Sequence, residues 1–157
     1  MIAFPWAFFT SGLGGLAASQ AVGWVVTRVV PPGGERVIVP GVLSLVVFHN
    51  QGIAFGLLGW LSPAVTVALA LTVLLALFYN RGAWPGGLAE QWGYGLMVGG
   101  ALGNVADRLR FGYVVDYLDV HVWPVFNLAD AAIVAGAGVL AAATFARRHR
   151  GDSEVRR

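Results

Sequence analysis

The chain has 157 residues, of which 57% are hydrophobic and 11% charged, against about a quarter charged in an ordinary soluble domain. This composition describes one domain with lipid as its main solvent. Cysteine is absent, which excludes disulfides, thiol nucleophiles and thiolate metal sites together.

All ten basic residues are arginine, five of them in the last eleven residues. So short a basic tail reads as a membrane-surface cluster; a nucleic-acid site would need basic and aromatic residues spread over a face. From Met1 to Thr27 nothing is charged. A cleaved leader would start basic and carry a shorter apolar run, so Pro5 to Val26 is expected to be a retained first span.

After Arg36 the next charged residue is Arg81. Val37 to Phe55 mixes β-branched and aromatic residues with Pro40, Gly41 and Asn50, which predicts short strands and turns. Leu57 to Tyr79 is uncharged and mostly apolar and predicts a second span. A third is expected over Ala89–Val105 and a fourth over Asn127–Ala146, followed by an arginine-rich tail over 147–157. Four spans put both termini on one side, and the tail makes that side cytoplasmic. The segments Arg28–Phe55 and Asp107–Phe126 then face outward. No repeat or linker divides the chain, so 1–157 is one membrane-embedded domain.

Ionisable groups beside a span are costly and point to function. Asp107 and Arg108 end the third span, Asp116 and Asp119 lie in the connection, and Asp130 opens the fourth. Plain roles exist for each. Asn127 and Asp130 have the spacing of a capping box, Asp107 and Arg108 that of a surface ion pair, and Asp116 and Asp119 fit solvated loop charges. Two carboxylates sharing a proton can instead act as an aspartic dyad, one activating water and the other polarising a carbonyl. Asp116 and Asp130 can meet across a hairpin, but spacing alone does not raise Asp116 above Asp119.

Other membrane proteases lack their residues here. A Ser/Lys mechanism needs a lysine, and a zinc protease needs H-E-x-x-H. His49, His121 and His149 stand far apart, and no serine sits in a Gly-x-Ser-Gly setting.

The runs GGALGNVADR, GYVVDYLDVH and WPVFNLADAAIVAG, with VIVPGVLSLVVFHNQGIAFGLL upstream, resemble the lipoprotein signal peptidase (signal peptidase II) family over about Val37 to Gly136. The resemblance implies an all-α polytopic membrane protein with four transmembrane helices and a small extracytoplasmic β-sheet between the first and second spans. It implies a bacterial inner-membrane enzyme cutting lipid-modified prolipoproteins before the diacylglyceryl cysteine. It makes Asp116 and Asp130 the catalytic pair and gives Asn50, Gly52, Asn104, Arg108, Asn127 and Ala129 supporting or substrate-binding roles. No cofactor or metal is expected. The partners are prolipoprotein and membrane phospholipid, with no nucleic acid, and the chain is expected to be a monomer.

One departure stands in the first span. The family carries Asp-Gln and then a lysine three residues on, whereas this chain reads Ser19-Gln20-Ala21-Val22-Gly23. Joint loss of a buried ion pair costs far less than loss of one partner, so an active enzyme is the leading expectation. A paralogue that binds precursors without cutting them is the alternative. A small transporter using Asp130 as an ion site is a third reading, and it lacks the internal repeat such proteins show.

Overall fold

A computed structural model describes residues 5–31, 33–52, 62, 64–65, 67–68, 70–72, 75 and 87–155, with only the backbone described over 147–155. Three helices and three strands are described in full: α1 (Trp6–Val29), β1 (Glu35–Val39), β2 (Leu43–Asn50), α2 (Leu88–Phe111), β3 (Val114–Asp119) and α3 (Leu128–Val155).

Local chemistry sets the ends of these elements. Val30 precedes Pro31 and is extended, with φ −108° and ψ 116°, because proline disfavours helical backbone in the residue before it. At the start of α2, Gly87 N–H donates to Glu90 Oε2 at 2.9 Å. Gly112 closes the same helix in the left-handed region with φ 81°, its N–H donating to Arg108 O at 3.0 Å. Between β1 and β2 the tight turn has Pro40 and Gly41 at its centre, with Gly41 at φ 71° and Val42 N–H donating to Val39 O at 3.0 Å. That is the residue pattern of a type II turn.

The sheet runs β1-β2-β3, antiparallel throughout. β1 is exposed along its whole length, while Val114 to Tyr117 of β3 are buried. Val26 and Val30 at the end of α1 pack with Val115 and Tyr117 into one buried cluster, which fixes the sheet over the helices.

α2 lies between α1 and α3, and small residues bring the backbones together. Gly95, Gly99 and Gly103 recur every fourth residue and so share one helix face. A Cβ at Gly95 would overlap Ser11 Oγ, and one at Gly99 would overlap the carbonyl of Gly12. At Gly103 it would come within 2.6 Å of Ser19 Oγ. Toward α3, Gly100 faces the carbonyl of Ala129 and Gly93 that of Gly136 in the same way. This is how helices pack where lipid removes the usual hydrophobic drive.

The expected first, third and fourth spans correspond to α1, α2 and α3. α2 continues beyond Val105 to Phe111, so Asp107 and Arg108 sit within its last turns. α3 carries its backbone helix through the arginine-rich segment to Val155, where only a tail was expected. The expected second span falls mostly outside the described residues; those described within it from Ala64 onward are helical. The sheet also departs from expectation. It takes its third strand from the connection between α2 and α3, not only from Val37–Phe55.

Among the described residues, one helix is long and apolar enough to cross a membrane, Leu128–Ala146 of α3. α1 and α2 have 24 residues each, a length of about 36 Å, but their glycine and polar residues dilute the apolar signal.

Gly99→Ala should force α1 and α2 apart and cost about 1–3 kcal/mol, as overpacking does. Gly138→Ala, where a Cβ meets nothing within 4 Å, should be neutral or stabilising by about 0.5–1 kcal/mol. Thermal unfolding of the two variants in the same detergent checks the contrast.

Candidate active site

β2 and β3 are registered so that Asn50 lies opposite Val114 and Phe48 opposite Asp116. Side chains alternate faces along a strand, so Asn50 and Asp116 are diagonal neighbours on one face. Asn50 Nδ2 donates to Asp116 Oδ2 at 2.8 Å. From the start of α3, Asn127 Nδ2 donates to Asp116 Oδ1, also at 2.8 Å.

Asn127 also forms the capping box expected from its spacing. Its Oδ1 accepts the Asp130 N–H at 3.0 Å, and its own N–H donates to Asp130 Oδ2 at 3.3 Å. One asparagine therefore hydrogen-bonds both carboxylates. Asn104, on α2, completes the cluster: its Nδ2 donates to Asp130 Oδ1 at 2.8 Å, and its Oδ1 accepts from Asn127 Nδ2 at 3.1 Å. The capping role and a place beside Asp116 are thus the same position of Asp130.

The other expected residues support this cluster. Gly52 N–H donates to Asn50 Oδ1 at 2.9 Å, which turns the Asn50 amide group toward Asp116. Arg108 donates to Gly52 O at 2.8 Å and to Asn104 O at 3.3 Å, tying the turn after β2 to α2. No Asp107–Arg108 ion pair forms among the described residues, since Asp107 is bonded to Gln20 and to the Val115 N–H instead. Ala129 is buried where α3 meets Gly100 and Gly103. Asp119 stands apart: its Oδ1 accepts the His121 N–H at 2.7 Å, with His121 Nδ1 at 3.6 Å.

Asp116 is 1% exposed. Burial pushes its carboxyl up to about 6, against the opposing pull of the Asn50 hydrogen bond, and the charge of Asp130 adds to the rise. Among the described residues no three His, Cys, Asp or Glu side chains are grouped to hold a metal ion. A cavity of about 610 Å³ lies between α1, α2 and the inner face of the sheet. It reaches the cluster at Asn104, Asn127 and Ala129, while neither carboxylate lines it.

Three residues take part in contacts that their sequence signals did not assign to them. Tyr117 is buried and its Oη accepts the Leu128 N–H at 3.2 Å, which holds β3 against the start of α3. Gln20 and Asp107 join α1 to α2. Only the folding of the chain reveals these partners.

The signal peptidase (SPase) II family model matches residues 13–146. The chain belongs to the signal peptidase II family. The lipoprotein signal peptidase of Pelotomaculum thermopropionicum is 46% identical over 129 residues, covering 80% of this chain and 83% of the relative. That of Moorella thermoacetica is 42% identical over 128 residues, with the same two coverages. Two bacterial membrane enzymes solved by the in meso method share the fold. One, at 2.3 Å, has a TM-score of 0.80 and 24% identity over 88% of this chain and 87% of its own. The other, at 1.9 Å, has a TM-score of 0.76 and 25% identity over 87% and 91%. The family and these neighbours place the chain among membrane proteins.

The raised Asp116 carboxyl predicts a pH dependence of stability. An unfolded aspartate titrates near about 3.9, so between that value and about 6 the native state binds more protons. Stability then falls as pH rises through this window, by at most about 3 kcal/mol. Unfolding temperature in detergent should drop between pH 4.5 and 7, and Asp116→Asn should flatten the drop.

Proposed function

We propose that this chain is an intramembrane aspartic endopeptidase. It removes the signal peptide from diacylglyceryl-modified bacterial prolipoproteins, cutting before the lipidated cysteine. The observation that carries this reading is Asn127, which hydrogen-bonds Asp116 through its side chain and Asp130 through its backbone N–H. Two carboxylates gathered at the outer end of a membrane helix, one of them buried, are what an aspartic mechanism of peptide hydrolysis requires. The relatives' name, lipoprotein signal peptidase, supplies the substrate class.

The chemistry follows from a pair holding one proton, which titrates as a unit. The ionised carboxylate takes a proton from water as its oxygen attacks the scissile carbonyl carbon. The protonated partner gives its proton to the carbonyl oxygen, leaving a tetrahedral diol. Collapse re-forms a C=O bond, breaks the C–N bond and delivers a proton to the departing amine, so the pair returns to its starting state. Asn50, Asn104 and Asn127 hold the carboxylates in place, and fixed donors need no reorganisation during the reaction. Arg108 spends two donors on Gly52 and Asn104, leaving others for a substrate carbonyl or lipid ester.

The substrate's apolar helix and acyl chains enter laterally from the bilayer. The chain works as a monomer with four spans in the inner membrane, both termini cytoplasmic and the site at the extracytoplasmic face. No metal or cofactor takes part.

Purified protein should cleave a diacylglyceryl-modified prolipoprotein, followed by its mobility shift. Asp116→Asn and Asp130→Asn should each lower the rate at least a thousandfold. Asp119→Asn should stay within about threefold of the parent, since among the described residues the Asp119 side chain bonds within its local turn, to His121. A parent that binds precursor but never cuts it would hand the site to the binding reading.

A further inference from the structure

A continuous chain of hydrogen bonds runs from the surface of the helix pair to the backbone beside Asp116. The exposed Arg110 donates from Nη1 to Gln20 Oε1 at 2.9 Å. Gln20 Nε2 donates to Asp107 Oδ1 at 2.8 Å and to Gly103 O at 3.3 Å. Asp107 Oδ2 in turn accepts the N–H of Val115 at 3.2 Å. The chain crosses α1, α2 and β3, and Val115 is the residue immediately before Asp116. Three elements are thus linked through side chains that line the cavity and lie outside the hydrogen-bonded cluster of Asp116 and Asp130.

This arrangement is costly unless something depends on it. Asp107 is a half-buried carboxylate at a helix end, and a buried charge is tolerated only when its lone pairs are filled. Here one oxygen takes a side-chain amide and the other a backbone amide. The backbone bond matters most. β3 is tied to the segment leading into α3 by Phe126, which bonds Tyr117 and Leu118, and to α2 by Asp107 at Val115. Asp116 lies between these two ties, so its depth relative to Asp130 depends on both.

Resting on the peptidase reading above, we propose that Gln20 and Asp107 are positioning residues. They set the placement of β3, and through it the distance from Asp116 to Asp130, and touch neither substrate nor reacting atoms. In this chain the work is done without a charged residue on the buried face of α1. Among the described residues, Ser19 there bonds its own helix, Oγ to Leu16 O at 2.9 Å, and Gly23 presents no side chain to Tyr117. A displacement of about 1 Å in a reacting group costs on the order of a hundredfold in rate.

The test exploits the direction of the bonds. Asp107→Ala and Gln20→Glu should each lower kcat about tenfold or more with KM changed less than twofold. Gln20→Glu fails because two carboxylates then face each other. Combining Gln20→Glu with Asp107→Asn reverses the link. The amide introduced on α2 donates to the carboxylate introduced on α1 and still accepts from Val115, while that carboxylate still accepts from Arg110. The double variant should recover at least half of the parent kcat. Hydrogen exchange at the Val115 amide should quicken in Asp107→Ala and return to near the parent rate in the double variant.

Full activity in either single variant overturns the proposal, and so does a double variant no better than the worse single one. A loss shared equally by all variants with lowered unfolding temperature means general structural damage and overturns it too. If Asp107→Ala does not fold, Gln20→Glu and the double variant decide. If the parent itself never cleaves, the peptidase reading has failed, and Val115 exchange alone decides whether the link holds β3.

Discussion

The buried carboxylate of Asp116 is the constraint on which the rest of the site depends. A carboxylate 1% exposed must be hydrogen-bonded or neutral, and it has an amide at each oxygen. Those amides cannot turn around. The oxygen of Asn50 is occupied by the Gly52 N–H, and that of Asn127 by the Asp130 N–H. Their NH₂ groups are therefore the ends that point at Asp116. The turn after β2, the start of α3 and the register of β3 are locked into one network. Such networks are strong only when complete.

This geometry lets one acid serve as a helix cap and as part of the carboxylate cluster. The first N–H groups of a helix have no intrahelical partners, and an acid in the first turn complements them. Asp130 fills that role, and the same position leaves its other oxygen to Asn104. The capping spacing from Asn127 to Asp130 was legible in the sequence because it is local. What the cap faces was not, because Asn104 is 26 residues away in the chain.

The same division runs through the fold. A charge-free apolar run revealed α1, apolar runs with a single acid near the start revealed α2 and α3, and the turn residues Pro40 and Gly41 revealed the β1–β2 hairpin. β3 escaped because an acid in the middle of VVDYLD makes a strand read as a loop. Its buried face exists only where β2 lies beside it. Asp116 and Asp119 are equivalent by composition, and register separates them. Asp116 falls diagonal to Asn50, while Asp119 falls near the far end of the strand, opposite Ser44. The family resemblance drew a distinction between the two without a physical reason. The structure supplies a difference of surroundings: Asp116 is roofed by asparagines, and the other end of the strand is open to His121.

The first span shows how close packing and electrostatics trade against each other. Ser19 is buried where α1 meets Gly103, with its Oγ 2.6 Å from a Cβ built there. Helices this close leave little room for a longer acidic side chain on that face, and Gly23 places bare backbone against the Tyr117 ring, 3.7 Å from a Cβ built there. An acid without its basic partner would be a buried uncompensated charge, which is far more damaging than the absence of both. Ser19 thus packs α1 against α2, and Gly23 packs it against the Tyr117 ring of β3, with no charge on either residue. Gln20 reaches Asp107 across the same helix pair, so the tie between α1 and the strand carrying Asp116 passes through neutral amide donors and one carboxylate.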